Sequence, residues 1–126
     1  MIALVEAEDG AETVRDIIAR GAAVLPWMAA LELHYLTSRE ISPEEADARL
    51  VLLQSAGVPV RGIDGDRLLR AAAALKANFS GSLADAVIAA VAVVEDAILV
   101  HKDPEYQALE GRVRLLALPF KAPTAD

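Results

Sequence analysis

The segment Gly81-Ser82-Leu83-Ala84-Asp85 opens an apolar run to Ala92, is followed after one short strand by His101-Lys102-Asp103, and constrains this chain more than any other part of it. Ser82 is an N-cap residue, and Asp85, three positions later, falls in the first turn of a helix that is otherwise apolar. After Val94-Glu95-Asp96, the run Ala97 to Val100 reads as a buried strand, with Asp103 just beyond its carboxyl end. Two carboxylates are thereby tied to a helix and strand frame at the edge where α/β proteins keep their chemistry.

The rest of the chain alternates helix and strand, without internal repeat or low-complexity segment. An opening helical region, with a break near Gly10 and apolar Val14, Ile17 and Ile18, stops at Gly21, where a C′ glycine is expected. A short strand, Ala22 to Leu25, meets Pro26 and a helix from Trp27 to Ser38. Ser42-Pro43-Glu44-Glu45 is a capping box with proline at the first helical position, opening a helix to about Ala56 that Gly57 ends. Val58 to Ile63 is the next strand, and Asp64 caps a helix through Ala77. After the loop Asn78 to Gly81 come the Asp85 helix, the strand Ala97 to Val100, a short helix from Pro104 to about Leu109 and a last strand, Val113 to Ala117. Strands separated by helices imply an α/β domain with a mostly parallel central sheet and helices on both faces. The domain spans residues 1–118, and residues 119–126 are a proline-containing tail.

Composition narrows the chemistry. With 126 residues the chain holds one core. It has no cysteine, hence no disulfide and no thiolate metal site, and its two histidines are far apart in sequence. Any metal would be held mainly by carboxylates, which favours a hard ion such as Mg²⁺ or Mn²⁺. A net charge of −7 argues against broad electrostatic binding of nucleic acid. It is compatible with a metal-dependent nuclease, because clustered acids add to the negative count and bound divalent ions reverse the local sign. The longest apolar stretch, Ala86 to Val94, is far short of the roughly 20 residues a bilayer needs, and no basic leader with a hydrophobic core opens the chain. The expectation is a cytoplasmic protein with no membrane segment.

The order of these motifs resembles the PIN domain, and within it the small single-domain ribonucleases of the VapC type, toxins of toxin–antitoxin pairs. A pattern like Leu-x-x-Asp-Ala-x-x-x-Ala-x-Ala is matched by Leu83, Asp85, Ala86, Ala90 and Ala92. A Thr-x-Asp-x-x-aromatic pattern is matched by His101-Lys102-Asp103-Pro104-Glu105-Tyr106, with histidine in place of the usual hydroxyl residue. A glutamate in an apolar helix is matched by Glu32 in Trp27-Met28-Ala29-Ala30-Leu31-Glu32-Leu33. The resemblance implies a three-layer PIN-like fold and Mg²⁺- or Mn²⁺-dependent hydrolysis of RNA phosphodiester bonds. Asp85 and Asp103 would be direct metal ligands, Glu32 a ligand or a holder of metal-bound water, and His101 a contact to a substrate phosphate. Two ions about 3.5–4 Å apart would activate water and stabilise the in-line transition state. An RNA substrate, a cognate antitoxin and a second copy of the chain are the partners implied.

One departure from the family stands out. The family opens with a strand ending in an aspartate that is the first metal ligand, whereas Met1 to Glu12 looks like the helix and loop that should follow that strand. Two explanations are open: a start placed at an internal methionine, or a truncated protein without nuclease activity that acts as a binding and oligomerisation module. With that aspartate missing, this form is expected to bind divalent metal weakly and to cleave RNA slowly or not at all, and a form carrying the missing strand to do both better. Loss of an interior strand would also leave unpaired backbone beside an apolar gap that a segment of the chain, a swapped strand or a longer protein must fill.

Each candidate residue also has a plain structural role available. Asp85 can be the N3 partner of the Ser82 cap, and Asp103 a loop acid that caps the helix after Pro104. Glu32, between Leu31 and Leu33, needs a partner if buried, and Arg39 is the candidate. His34 and Tyr35 belong to helix surface or packing, Trp27 is a core or interface anchor, and Glu6, Glu8, Asp9, Glu12 and Asp16 form a solvated face. Arg61, Arg67, Arg70 and Lys76 can guide RNA or simply solvate a helix. Glu32, Asp85 and Asp103 are expected to converge on one cleft at the carboxyl edge of the sheet, with crowding raising at least one of their pKa values. Apolar Ile2 and Val5, and Trp27, Leu31 and Tyr35, are expected to form the contact of a homodimer.

Overall fold

The computed structural model describes residues 11–62 and 65–118. The expected opening helix with Ile2, Val5 and the acids Glu6, Glu8 and Asp9, the cap Asp64, and the tail 119–126 lie outside the described residues. Helix α1 (Ala11–Ala19) leads to strand β1 (Leu25–Pro26), α2 (Trp27–Glu40) and α3 (Pro43–Ser55). Strand β2 (Val60–Arg61), α4 (Asp66–Lys76), α5 (Leu83–Val94), β3 (Leu99–His101), a 3₁₀ helix (Pro104–Leu109) and β4 (Leu115–Ala117) follow.

The helix boundaries follow from local chemistry. Ser42 Oγ accepts the Glu45 N–H at 3.1 Å with Pro43 at the first helical position, so α3 starts at its capping box. At its other end Gly57 takes a positive φ of 90°, which lets the Val58 N–H reach back to the Leu53 carbonyl at 3.1 Å. Leu53 and Val58 are both fully buried, so the cap also fixes two core side chains. Ser82 opens α5 in the same way, accepting the Asp85 N–H at 3.0 Å.

The strands are shorter than the apolar runs that predict them. Asp96 adopts a left-handed φ of 52°, and the Ala97 N–H closes α5 by bonding the Ala92 carbonyl at 2.8 Å. Ala97 therefore serves the helix end, β3 begins at Leu99, and His101 becomes its last residue. Every strand pairing among the described residues is parallel, as expected, but the ladders form two separate pairs where one continuous sheet is expected. Leu25 and Pro26 pair with Val60 and Arg61. Leu99, Val100 and His101 pair with Leu115, Leu116 and Ala117. With two or three residues each, the strands hold only short ladders.

The core has two parts. Leu68, Leu75, Phe79, most of α5, Leu99, Tyr106 and Leu109 form one. Val14, Ile18, Leu25, Leu33, Leu53, Val58 and Leu118 form the other. Successive residues of β3 face opposite sides, Leu99 in the first cluster and Val100 against the second, so helices cover both faces of the strand pair. Ala29 of α2 packs against both clusters. Among the described residues no helix is long and apolar enough to cross a membrane.

Gly81 lies against the ring of buried Phe79, and a Cβ placed there would overlap the ring itself. Phe79 is held in turn by Tyr106, their ring centroids 6.4 Å apart and nearly parallel. Gly81→Ala is expected to lower unfolding free energy by about 1–3 kcal/mol through overpacking, read as a lower urea midpoint at unchanged slope.

A candidate metal centre

Three acids come together where the first turn of α5 meets the end of β3. Asp85 belongs to that turn, Asp103 follows β3 directly, and Glu105 is the second residue of the 3₁₀ helix. One carboxylate oxygen from each lies within 4.8 Å of the other two. Asp85 and Asp103 are partly buried and Glu105 is exposed, so the group opens to solvent on one side.

The plain structural roles and the cluster coexist. Asp85 closes the Ser82 cap with its backbone N–H, which leaves its carboxylate to accept the Tyr106 hydroxyl at 3.1 Å on Oδ1. Asp103 caps the 3₁₀ helix with Oδ1, accepting the Glu105 N–H at 2.9 Å. The same turn that satisfies Asp103 thus swings Glu105 into the cluster. An N-terminal first turn is also favourable ground for Asp85, because the helix dipole is positive there.

Glu32 comes from the other side, in the second turn of α2, and is half-buried. Burial first, then the charges of Asp85 and Asp103, push its carboxyl above the usual glutamate value. Asp85 and Asp103 therefore come together as expected, with Glu105 as their third member, while Glu32 is near enough to feel their charges without belonging to that group, and the raised pKa falls on Glu32. Glu32 does not pair with Arg39, whose guanidinium lies over the Tyr35 ring, 5.8 Å from its centroid. No buried counter-ion neutralises this carboxylate among the described side chains, and that is the condition in which a bound cation gains most.

Tyr106 sits behind the acids. It is only 6% exposed, and burial first, then the negative charge and hydrogen bond of Asp85, hold its phenol far above the ordinary tyrosine value. The hydroxyl therefore keeps its proton and acts as a donor. His101 packs edge-on against the same ring, centroids 5.1 Å apart at 64°. It is 5% exposed, and burial lowers its pKa against an opposing effect of the Asp103 backbone. The expectation that His101 meets a substrate phosphate is corrected here: a buried imidazole held toward its neutral form is part of the support beneath the acids.

Two members of the site were not assigned from sequence. Glu105 stands inside the quoted motif, but nothing in the spacing shows that the turn after Asp103 brings its carboxylate toward Asp85. Tyr106 was counted as an aromatic, and its hydroxyl had no partner in sequence, since Asp85 lies 21 residues away. The donor set, three clustered carboxylates with a fourth beside them, suits a hard divalent ion such as Mg²⁺ or Mn²⁺.

The family model described as PIN domain matches residues 1–111. The chain therefore belongs to the PIN-domain family. No curated protein matches the sequence. Among solved structures, it is similar to a chain of VapBC2 from Rickettsia felis, crystallised bound to a DNA fragment from their promoter. The TM-score is 0.72 at 18% identity, covering 93% of this chain and 91% of that one. At that identity the likeness supports the PIN-like α/β fold.

The raised Glu32 pKa has a direct consequence for stability. A carboxyl whose folded-state pKa exceeds its unfolded value favours folding below the unfolded value, and that contribution is lost as pH rises through the folded one. In chelator, Glu32→Gln is expected to melt higher than the parent protein at pH 7. That advantage should disappear as pH falls below about 4, near the ordinary glutamate value, in thermal scans of the two proteins run side by side.

Proposed function

We propose that the protein is a divalent-metal-dependent endoribonuclease of the VapC type, the toxin of a two-component pair, hydrolysing RNA phosphodiester bonds in the cytoplasm. The observation that carries this reading is the gathering of Asp85, Asp103 and Glu105 at the carboxyl end of β3, with Glu32 near enough to feel the charges of Asp85 and Asp103. Asp85 and Asp103 would hold Mg²⁺ or Mn²⁺, Glu105 would add an oxygen from the solvent side, and Glu32 would bind the ion or a water beside it. When bound, the ion would supply charge to neutralise the phosphate and lower the pKa of an attacking water. The protein's own part is to fix its carboxylates before substrate arrives: Asp103 through the 3₁₀ cap, Asp85 through the first turn of α5.

The same reading brings an antitoxin partner, since the similar solved chain comes from a VapBC complex. It also brings a second copy. Trp27, Leu31 and Tyr35, spaced four residues apart along one face of α2, are 45%, 44% and 49% exposed. Such an apolar row at helical spacing suits a helix-to-helix contact between copies.

Cleavage of a mixed-sequence RNA should require added Mg²⁺ or Mn²⁺ and should fall at least about 100-fold in Asp85→Asn, the scale expected when a group central to charge stabilisation is removed. Equal rates with chelator present, or in Asp85→Asn, would refute the nuclease reading. Light scattering should give a mass twice the 13.3 kDa of the chain. Leu31→Glu should return the single-chain mass, and a parent protein that is already monomeric at micromolar concentration would refute the self-association.

A further inference from the structure

The hydroxyl of Tyr106 is a polar side-chain group that reaches the acid cluster from inside the core. It donates to Asp85 Oδ1 at 3.1 Å across 21 residues of chain, from a residue 6% exposed. Its ring has little freedom: Phe79 stacks on one side and His101 meets it edge-on. Gly81, one residue before the cap of α5, leaves room for Phe79 to take that place. A rigid aromatic column thus ends in a single donor aimed at a single carboxylate oxygen.

We propose that Tyr106 is a positioning residue for the metal centre, holding Oδ1 of Asp85 so that the carboxylate presents its other oxygen to the ion shared with Asp103 and Glu105. The proposal rests on the metal-nuclease reading and adds to it a determinant that lies behind the ligands. An aspartate in the first turn of a helix has a free χ2, and a carboxylate with both oxygens loose must be ordered when the ion binds. A buried donor on one oxygen supplies that order beforehand, as partners behind metal ligands generally do. Phenylalanine would fill the same space in the column and lack only the donor.

The test is Tyr106→Phe, with Mn²⁺ binding followed by electron paramagnetic resonance of the free ion and no RNA present. The expected result is affinity about tenfold weaker than the parent's, with the Phe variant retaining the parent's circular dichroism. In an Asp85→Asn background the same substitution should change Mn²⁺ affinity no further, because its route runs through Asp85. A second readout uses the fact that the chain has two tyrosines. In Tyr35→Phe, Tyr106 is the sole tyrosine, and Asp85→Asn should shift its near-ultraviolet absorption to shorter wavelength. Parent-like Mn²⁺ affinity in Tyr106→Phe, with Asp85→Asn clearly weakened, would overturn the positioning role and leave the metal reading standing. A parent protein that binds no Mn²⁺ would overturn both.

Discussion

Carboxylates brought together in a partly buried place repel one another, and much of this structure is arranged around that cost. Asp85 comes from α5, Asp103 and Glu105 from the start of the 3₁₀ helix and Glu32 from α2, so only the Asp103–Glu105 pair is brought together locally. What offsets the repulsion is a set of donors, each from a different part of the fold. The first turn of α5 gives Asp85 a favourable dipole, the 3₁₀ helix gives Asp103 a backbone N–H, and Tyr106 gives Asp85 a hydroxyl. Glu32 receives no such donor among the described side chains, and burial, followed by the charges of Asp85 and Asp103, raises its pKa.

The two-part core explains why these elements meet at one point. Strand β3 sends Leu99 into one hydrophobic cluster and Val100 toward the other, so its end lies where the two cores adjoin. Helix α2 bridges them as well, through Ala29, and three residues further on it carries Glu32. Ala86, Ala89 and Ala90, all fully buried, let α5 approach its neighbours closely enough to bring Asp85 within reach of Tyr106. Small side chains in α5 and an aromatic column beneath the acids are two halves of one packing solution.

What the sequence disclosed was whatever chemistry decides locally. Ser42 and Ser82 announced their caps, Gly57 its helix end, and Asp85 and Asp103 their place beside helix and strand, because each depends on residues three to five positions away. Strand limits were less legible. The left-handed turn at Asp96 draws Ala97 into the helix cap, and an apolar run cannot announce that. The same slip moves His101 into β3 and under Tyr106, which is why a residue read as a phosphate contact is buried support. Glu105 and the Tyr106 hydroxyl were hidden for a related reason: one needs a 3₁₀ turn, the other a partner 21 residues away.

Charge ties the site to the proposed activity. The chain carries −7 overall, and several of its cations are already engaged. Arg114 binds the carbonyl and carboxylate of Asp96, Arg61 faces Glu95 at 4.0 Å, and Lys76 donates to the Phe79 carbonyl. Arg15, Arg20, Arg67, Arg70 and Arg112 stay exposed, but 12 basic residues against 19 acidic ones make a poor surface for capturing a polyanion by counterion release alone. Under the proposed reading, substrate phosphate therefore has no reason to dwell at the acids until they hold a cation, and the cation has every reason to stay where four carboxylates repel one another. On that reading metal binding and substrate binding would be one electrostatic event, with the fold supplying the negative charge and the ion reversing its sign where the RNA backbone would sit.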